Sequence, residues 1–181
     1  MDQTLSRSPY PKSRIAAAAA VPGGIIALLA VGHGANDFFT SILPALLPAL
    51  QERFALSGSM LALLVATFAV SSSFLGPFLG SLSDRFGARR VTALAIALTT
   101  VLLSLVGVVS SVALLFALLL VGGLGSAALH PAGSALARQA ANGNPGLALA
   151  LFSAGGMIGY ARGLSSSCSS LTDSVWAPPP G

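Results

Sequence analysis

Gly80-Ser-Leu-Ser-Asp-Arg-Phe-Gly-Ala-Arg-Arg90 is a short basic stretch joining two long apolar runs, roughly Met60–Leu82 and Val91–Ser110. Each run matches the ~20 residues that a helix needs to cross a hydrocarbon core of about 30 Å. Within the join, Asp84 is suited to capping a helix N-terminus and Gly87 to a tight turn. Arg85, Arg89 and Arg90 hold such a loop on the cytoplasmic side. The stretch therefore predicts a basic turn between two membrane helices.

Working outward, the same pattern repeats. A first apolar span covers about 25–50, a fourth about 112–136 and a fifth about 147–164, flanked by a cytoplasmic tail at 1–24 and a polar tail at 165–181. All five are expected to be helices, because an open strand edge in lipid leaves backbone groups unpaired. The fold class is thus an all-α polytopic membrane protein. Composition agrees: 54% of the 181 residues are hydrophobic and 8% charged, where a soluble domain carries about a quarter charged. So few charges cannot cover a water-facing surface.

The isoelectric point near 10.2 does not indicate nucleic acid, because the basic residues lie between apolar runs and form no binding face. With the N-terminus in the cytoplasm, Arg7, Lys12, Arg14, Arg85, Arg89, Arg90 and Arg138 fall inside and Arg53 outside. That asymmetry predicts the orientation in a bacterial-type inner membrane. Lys12 and Arg14 before an Ala-rich run imitate a signal peptide, but apolar sequence resumes beyond any cleavage point. The single cysteine, Cys168, forms no intrachain disulfide. No metal site and no cofactor are expected.

Small residues recur four apart at Gly76 and Gly80, Gly122 and Ser126, and Gly155 and Gly159. In lipid this spacing lets helices approach closely. Gly123-Leu-Gly-Ser-Ala-Ala128 has the outline of a dinucleotide fingerprint, but it lies within an apolar span with no strand before it, so it is read as chance.

Three ionisable groups lie inside spans: His33, Asp37 and His130. Ionisable residues at membrane depth are costly and point to function. His33 and Asp37 share a helical face, with Asn36 beside them. At ~1.5 Å per residue, His33 lies roughly 12 Å deep, Asp37 roughly 18 Å and His130 roughly 10 Å from the inner side. If the first and fourth spans are neighbours, the groups form one polar site. Such a site can pass protons or hold an anion. The structural alternative is a hydrogen-bonded cluster that only joins helices.

Gly80–Arg90 also resembles the signature loop of the major facilitator superfamily, G-x-L-x-D-R-x-G-x-R-R, in its place between spans two and three. The resemblance implies that Asp84 and Arg85 belong to a cytoplasmic charge network that gates alternating access. His33-Gly-Ala-Asn-Asp37 with Leu43-Pro-Ala-Leu-Leu-Pro48, His130-Pro131, and Leu151-Phe-Ser-Ala-Gly-Gly-Met-Ile-Gly159 resemble the first, fourth and fifth helices of fosmidomycin-resistance-type efflux transporters. The subfamily implies proton-driven export of a small drug or phosphonate-like anion, with first and fourth helices lining the central cavity. The implied partners are the lipid bilayer, a small-molecule substrate and protons.

After Tyr160 the resemblance to that family fails. Ala161-Arg-Gly-Leu-Ser-Ser-Ser-Cys-Ser-Ser-Leu171 is a poor continuation of a membrane helix. Back-translated with GC-rich codons, Ser165–Leu171 reads Val-Val-Val-Leu-Val-Ala in another frame, and the codons before it read Ala-Gly-Pro-Leu. This predicts a frameshift near residues 161–162, which the gene sequence tests. A transporter of this family has about twelve helices in two halves, with its site at a repeat interface. The chain is accordingly expected to be truncated and inactive alone. A small membrane partner subunit is the alternative. An intramembrane hydrolase using Ser134 or Ser153 is disfavoured by the lack of a G-x-S-x-G or H-E-x-x-H frame.

Overall fold

A computed structural model describes residues 23–141 and 143–176. The basic N-terminal segment, including Arg7, Lys12 and Arg14, lies outside the described residues, as does the end of the polar tail from residue 177. The described residues form helices α1 (Gly23–Phe54), α2 (Gly58–Ser73), α3 (Gly76–Phe86), α4 (Ala88–Ser104), α5 (Val112–Gln139) and α6 (Pro145–Trp176), with a 3₁₀ turn at Leu105–Gly107. Among the described residues, four helical stretches are long and apolar enough to cross a membrane, or five if α2 and α3 make one broken span.

That break corrects the continuous second span expected over 60–82. The two segments are bent by 46°. Ser71-Ser-Ser73 ends α2, and Gly76-Pro77 opens α3. A proline in the first turn of a helix lacks an N–H that would be unpaired there anyway, but it cannot continue the helix before it. The third run also ends early, with α4 passing into the 3₁₀ turn and stopping at Gly107 instead of Ser110. Ser57 and Ser111 cap α2 and α5 by accepting from the Met60 and Leu114 amides, which supplies partners to otherwise unpaired N–H groups.

The serine run is helical. Ser165 and Ser166 donate to the Arg162 carbonyl and Ser167 to the Gly163 carbonyl. Hydroxyls that bond back to their own helix remain compatible with it.

Asp84 does not cap a helix. It sits exposed in the last turns of α3, while Gly87 is the N-cap of α4, with no side-chain cap bond. Gly87 has φ +88°, and a Cβ there would meet nothing within 4 Å. The constraint is purely conformational, so Gly87→Ala is expected to lower stability by roughly 1–3 kcal/mol. Reversible detergent unfolding of the chain measures this; an unchanged midpoint contradicts it.

α1 packs most extensively against α6, and α4 against α5. Leu43, Leu50, Leu64, Leu103, Leu115 and Leu119 form a buried cluster toward one end of the bundle. Ile26, Leu29, Ala137, Ala148 and Phe152 form another toward the opposite end. At the first of these ends, Arg53 donates to the Gly107 carbonyl at 2.6 Å.

Candidate functional site

Between the two clusters the core turns polar. The buried face of α1 runs through Ile26, Leu29, His33 and Asn36, spaced three and four apart. The same periodicity that buries Ile26 and Leu29 therefore carries an imidazole and an amide into the interior. α5 brings Ser126 and His130 to the same level, and α6 brings Phe152 and Gly156.

The structure thus brings together His33, Asn36, Asp37 and His130. Nδ1 of His33 lies 2.9 Å from the Phe152 carbonyl oxygen. A carbonyl only accepts, so Nδ1 carries the proton of that bond. The other ring nitrogen, Nε2, approaches Asp37 Oδ2 at 3.4 Å but has no hydrogen-bond partner and is buried. Asn36 Nδ2 donates to Asp37 Oδ1 at 2.8 Å and to Ser126 Oγ at 3.3 Å. The Phe152 ring stacks on His33 with centroids 4.2 Å apart and planes 21° apart. The His130 ring meets His33 edge-on at 5.1 Å.

His33 and Asn36 are buried, Asp37 is half-buried and His130 is exposed. Asp37 and His130 reach a cavity of about 350 Å³, whose wall also includes Thr40, Ser72, Ser73 and Ser126. The break between α2 and α3 places Ser72 and Ser73 there. Thr40 and Ser41 donate to the carbonyls of Asp37 and Phe38, one turn back on α1. Their hydroxyls are thereby satisfied within the helix.

The small-residue positions are unequal. Gly155 and Gly159 face the Ala30 and Gly34 carbonyls of α1 directly. Gly122 lies against Leu103, where a Cβ would come within 3.1 Å. Gly80 rests on the Pro131 ring, and Gly76 makes only ordinary contact near the Ala127 carbonyl. Gly123 and Gly125 of the fingerprint-like stretch lie mid-helix in α5 against Ser71 and Thr99, with no strand among the described residues.

Asp84, Arg85, Arg89 and Arg90 are exposed at the α3–α4 turn, remote in the chain from the polar cluster and with no ion pair among the described residues. Ser134 and Ser153 make no hydrogen bond to either histidine.

Sequence reasoning missed Phe152 and Gly156. Phe152 acts through its backbone carbonyl, which no residue type announces. Gly156 was hidden inside the Gly155–Gly159 stripe. A Cβ on it would lie 2.6 Å from His33 Cε1 and 2.7 Å from Asp37 Oδ2.

A family model described as Major Facilitator Superfamily matches residues 29–175, so the likeness extends beyond Tyr160 through the serine run. The chain is 33% identical over 165 residues to the fosmidomycin resistance protein of Escherichia coli (strain K12), covering 88% of the chain and 40% of that protein. It is 31% identical over 140 residues to YfnC, an uncharacterised MFS-type transporter of Bacillus subtilis (strain 168), covering 76% of the chain and 34% of that protein. No solved structure matches. The chain spans well under half the length of both relatives. Its helices, its basic turn and these matches together make it a membrane-embedded member of the major facilitator superfamily.

Proposed function

We propose that these helices form one wall of an efflux pathway for a small anionic drug of the phosphonate kind, driven by proton entry. The observation that carries this reading is the clustering of His33, Asp37 and His130 within an otherwise apolar bundle, with Asp37 and His130 lining a polar cavity. Ionisable groups at membrane depth mark substrate and ion paths. The two imidazoles suit an anion, and Asn36, which also donates to Ser126, orients the Asp37 carboxylate. The similarity to a protein named for fosmidomycin resistance supports export and this substrate class.

Arg85, Arg89, Arg90 and Arg138 sit at the opposite end of the helices from Arg53, which supports a cytoplasmic N-terminus in a bacterial inner membrane. The Gly80–Arg90 turn, with Asp84 and Arg85, is then the cytoplasmic gating element. Transporter sites lie between repeats, so the pathway also needs a second wall, and both relatives extend well beyond the stretch matched here.

Co-expression with the remaining part of the Escherichia coli relative, in a strain lacking its own exporter, tests the reading. Fosmidomycin resistance should rise with both parts in the membrane and not with the 181-residue chain alone. No rise with both parts present in the membrane refutes the proposal. Proton-driven flux in proteoliposomes containing only this chain refutes the one-wall arrangement.

A further inference from the structure

The buried Nε2 of His33 poses a chemical question that does not depend on transport. Its ring is fixed by the Nδ1–H bond to the Phe152 carbonyl, so its lone pair points toward Asp37 Oδ2, 3.4 Å away and not hydrogen-bonded. Two electron-rich atoms facing each other in a buried site call for a positive species between them. The other oxygen of the carboxylate is held by Asn36. The third group, His130, stands at the cavity edge with its ring against His33.

From this geometry we infer that His33 Nε2, Asp37 and His130 bind a single divalent transition-metal ion of the zinc, cobalt or nickel class. One ligand atom from each of the three groups lies within 4.8 Å of the others. The closest pair already matches the ~3.3 Å spacing of neighbouring ligands about a tetrahedral ion with bonds of about 2.0–2.1 Å. His130, exposed to the cavity, is the ligand able to move inward. Two imidazoles and one carboxylate select borderline transition metals over magnesium or calcium, which prefer all-oxygen shells.

The surroundings also fit. Metal-binding histidines characteristically donate their other N–H to a carbonyl, and ligating carboxylates are themselves hydrogen-bonded. Phe152 and Asn36 supply both contacts. Three protein ligands leave a coordination position facing the cavity, open to water or an anion.

The chain has two histidines, and both are in this cluster. Any histidine-bound ion therefore reports on it. The full chain, purified without a polyhistidine tag and kept in nanodiscs, is titrated with cobalt(II). Visible ligand-field bands should appear and saturate at one ion per chain. His130→Gln, at the exposed position, and Asn36→Ala, behind the carboxylate, should each weaken binding by about 10–100-fold. Zinc should displace cobalt, and excess magnesium should not.

The inference is overturned if the helical chain gives no bands, as expected if a proton alone sits between His33 and Asp37. It is also overturned if His130→Gln leaves affinity unchanged, or if magnesium displaces the cobalt.

Discussion

Gly159→Val should leave the chain unable to hold α1 against α6, with a loss of about 3 kcal/mol in reversible detergent unfolding. At this position the two backbones touch: any Cβ meets the Gly34 carbonyl, and four residues earlier a Cβ on Gly155 meets that of Ala30. Helix backbone cannot rotate aside as a side-chain end can, so relief requires the helices to separate. In lipid no hydrophobic driving force holds helices together, and close van der Waals contact carries much of the association. Separation therefore loses the contact along the whole stripe of Phe152, Gly156, Gly159 and Gly163. Gly76→Ala is the contrasting case, because its Cβ would make only ordinary contact, 4.0 Å from the Ala127 carbonyl. There the loss should be far smaller than for Gly159→Val, arising only because a residue with a Cβ is disfavoured in helical backbone just before a proline. Equal losses for the two variants would show that spacing alone, and not backbone contact, sets the cost.

The Gly76 and Gly159 pair marks where sequence stops being informative. Both belong to small residues four apart, and nothing in the spacing separates a backbone contact from an open one. Apolar run length, by contrast, made the all-helical membrane fold legible, because the need to span a hydrocarbon core acts on every residue of a run. It failed at Gly76-Pro77, where proline geometry outweighs hydropathy. The His33, Asn36 and Asp37 face was legible from helical period, and His130 from its place inside a span. Neither the Phe152 carbonyl nor the room left by Gly156 was, since each depends on how α6 is set against α1. Asp84 was misassigned for a related reason: a good capping residue caps only if the next helix starts just beyond it, and α4 starts after Gly87.

Gly156→Ala should abolish resistance in the two-part transport experiment while leaving the chain folded, although it changes no ionisable or hydrogen-bonding residue. The added methyl group would lie 2.6 Å from His33 Cε1, 2.7 Å from His33 Nε2 and 2.7 Å from Asp37 Oδ2. All three atoms belong to side chains, which can yield where the Gly34 carbonyl cannot, at the cost of the His33 contacts to Phe152. The strain is relieved by turning His33 and Asp37 away from each other, and the helix itself gains from replacing glycine. What is lost is position. Displacements of about 1 Å at a site can cost roughly 100-fold in rate, and a loss of that order in export should erase measurable resistance. Asp37→Asn should fail to the same degree by removing the charge while keeping the shape. Met157→Leu, on the same helix but 73% exposed and away from the polar cluster, should match the unaltered protein. If Gly156→Ala retains resistance while Asp37→Asn loses it, the carboxylate acts without its contact to His33. If both retain it, the polar cluster only joins helices, and the substrate path lies elsewhere.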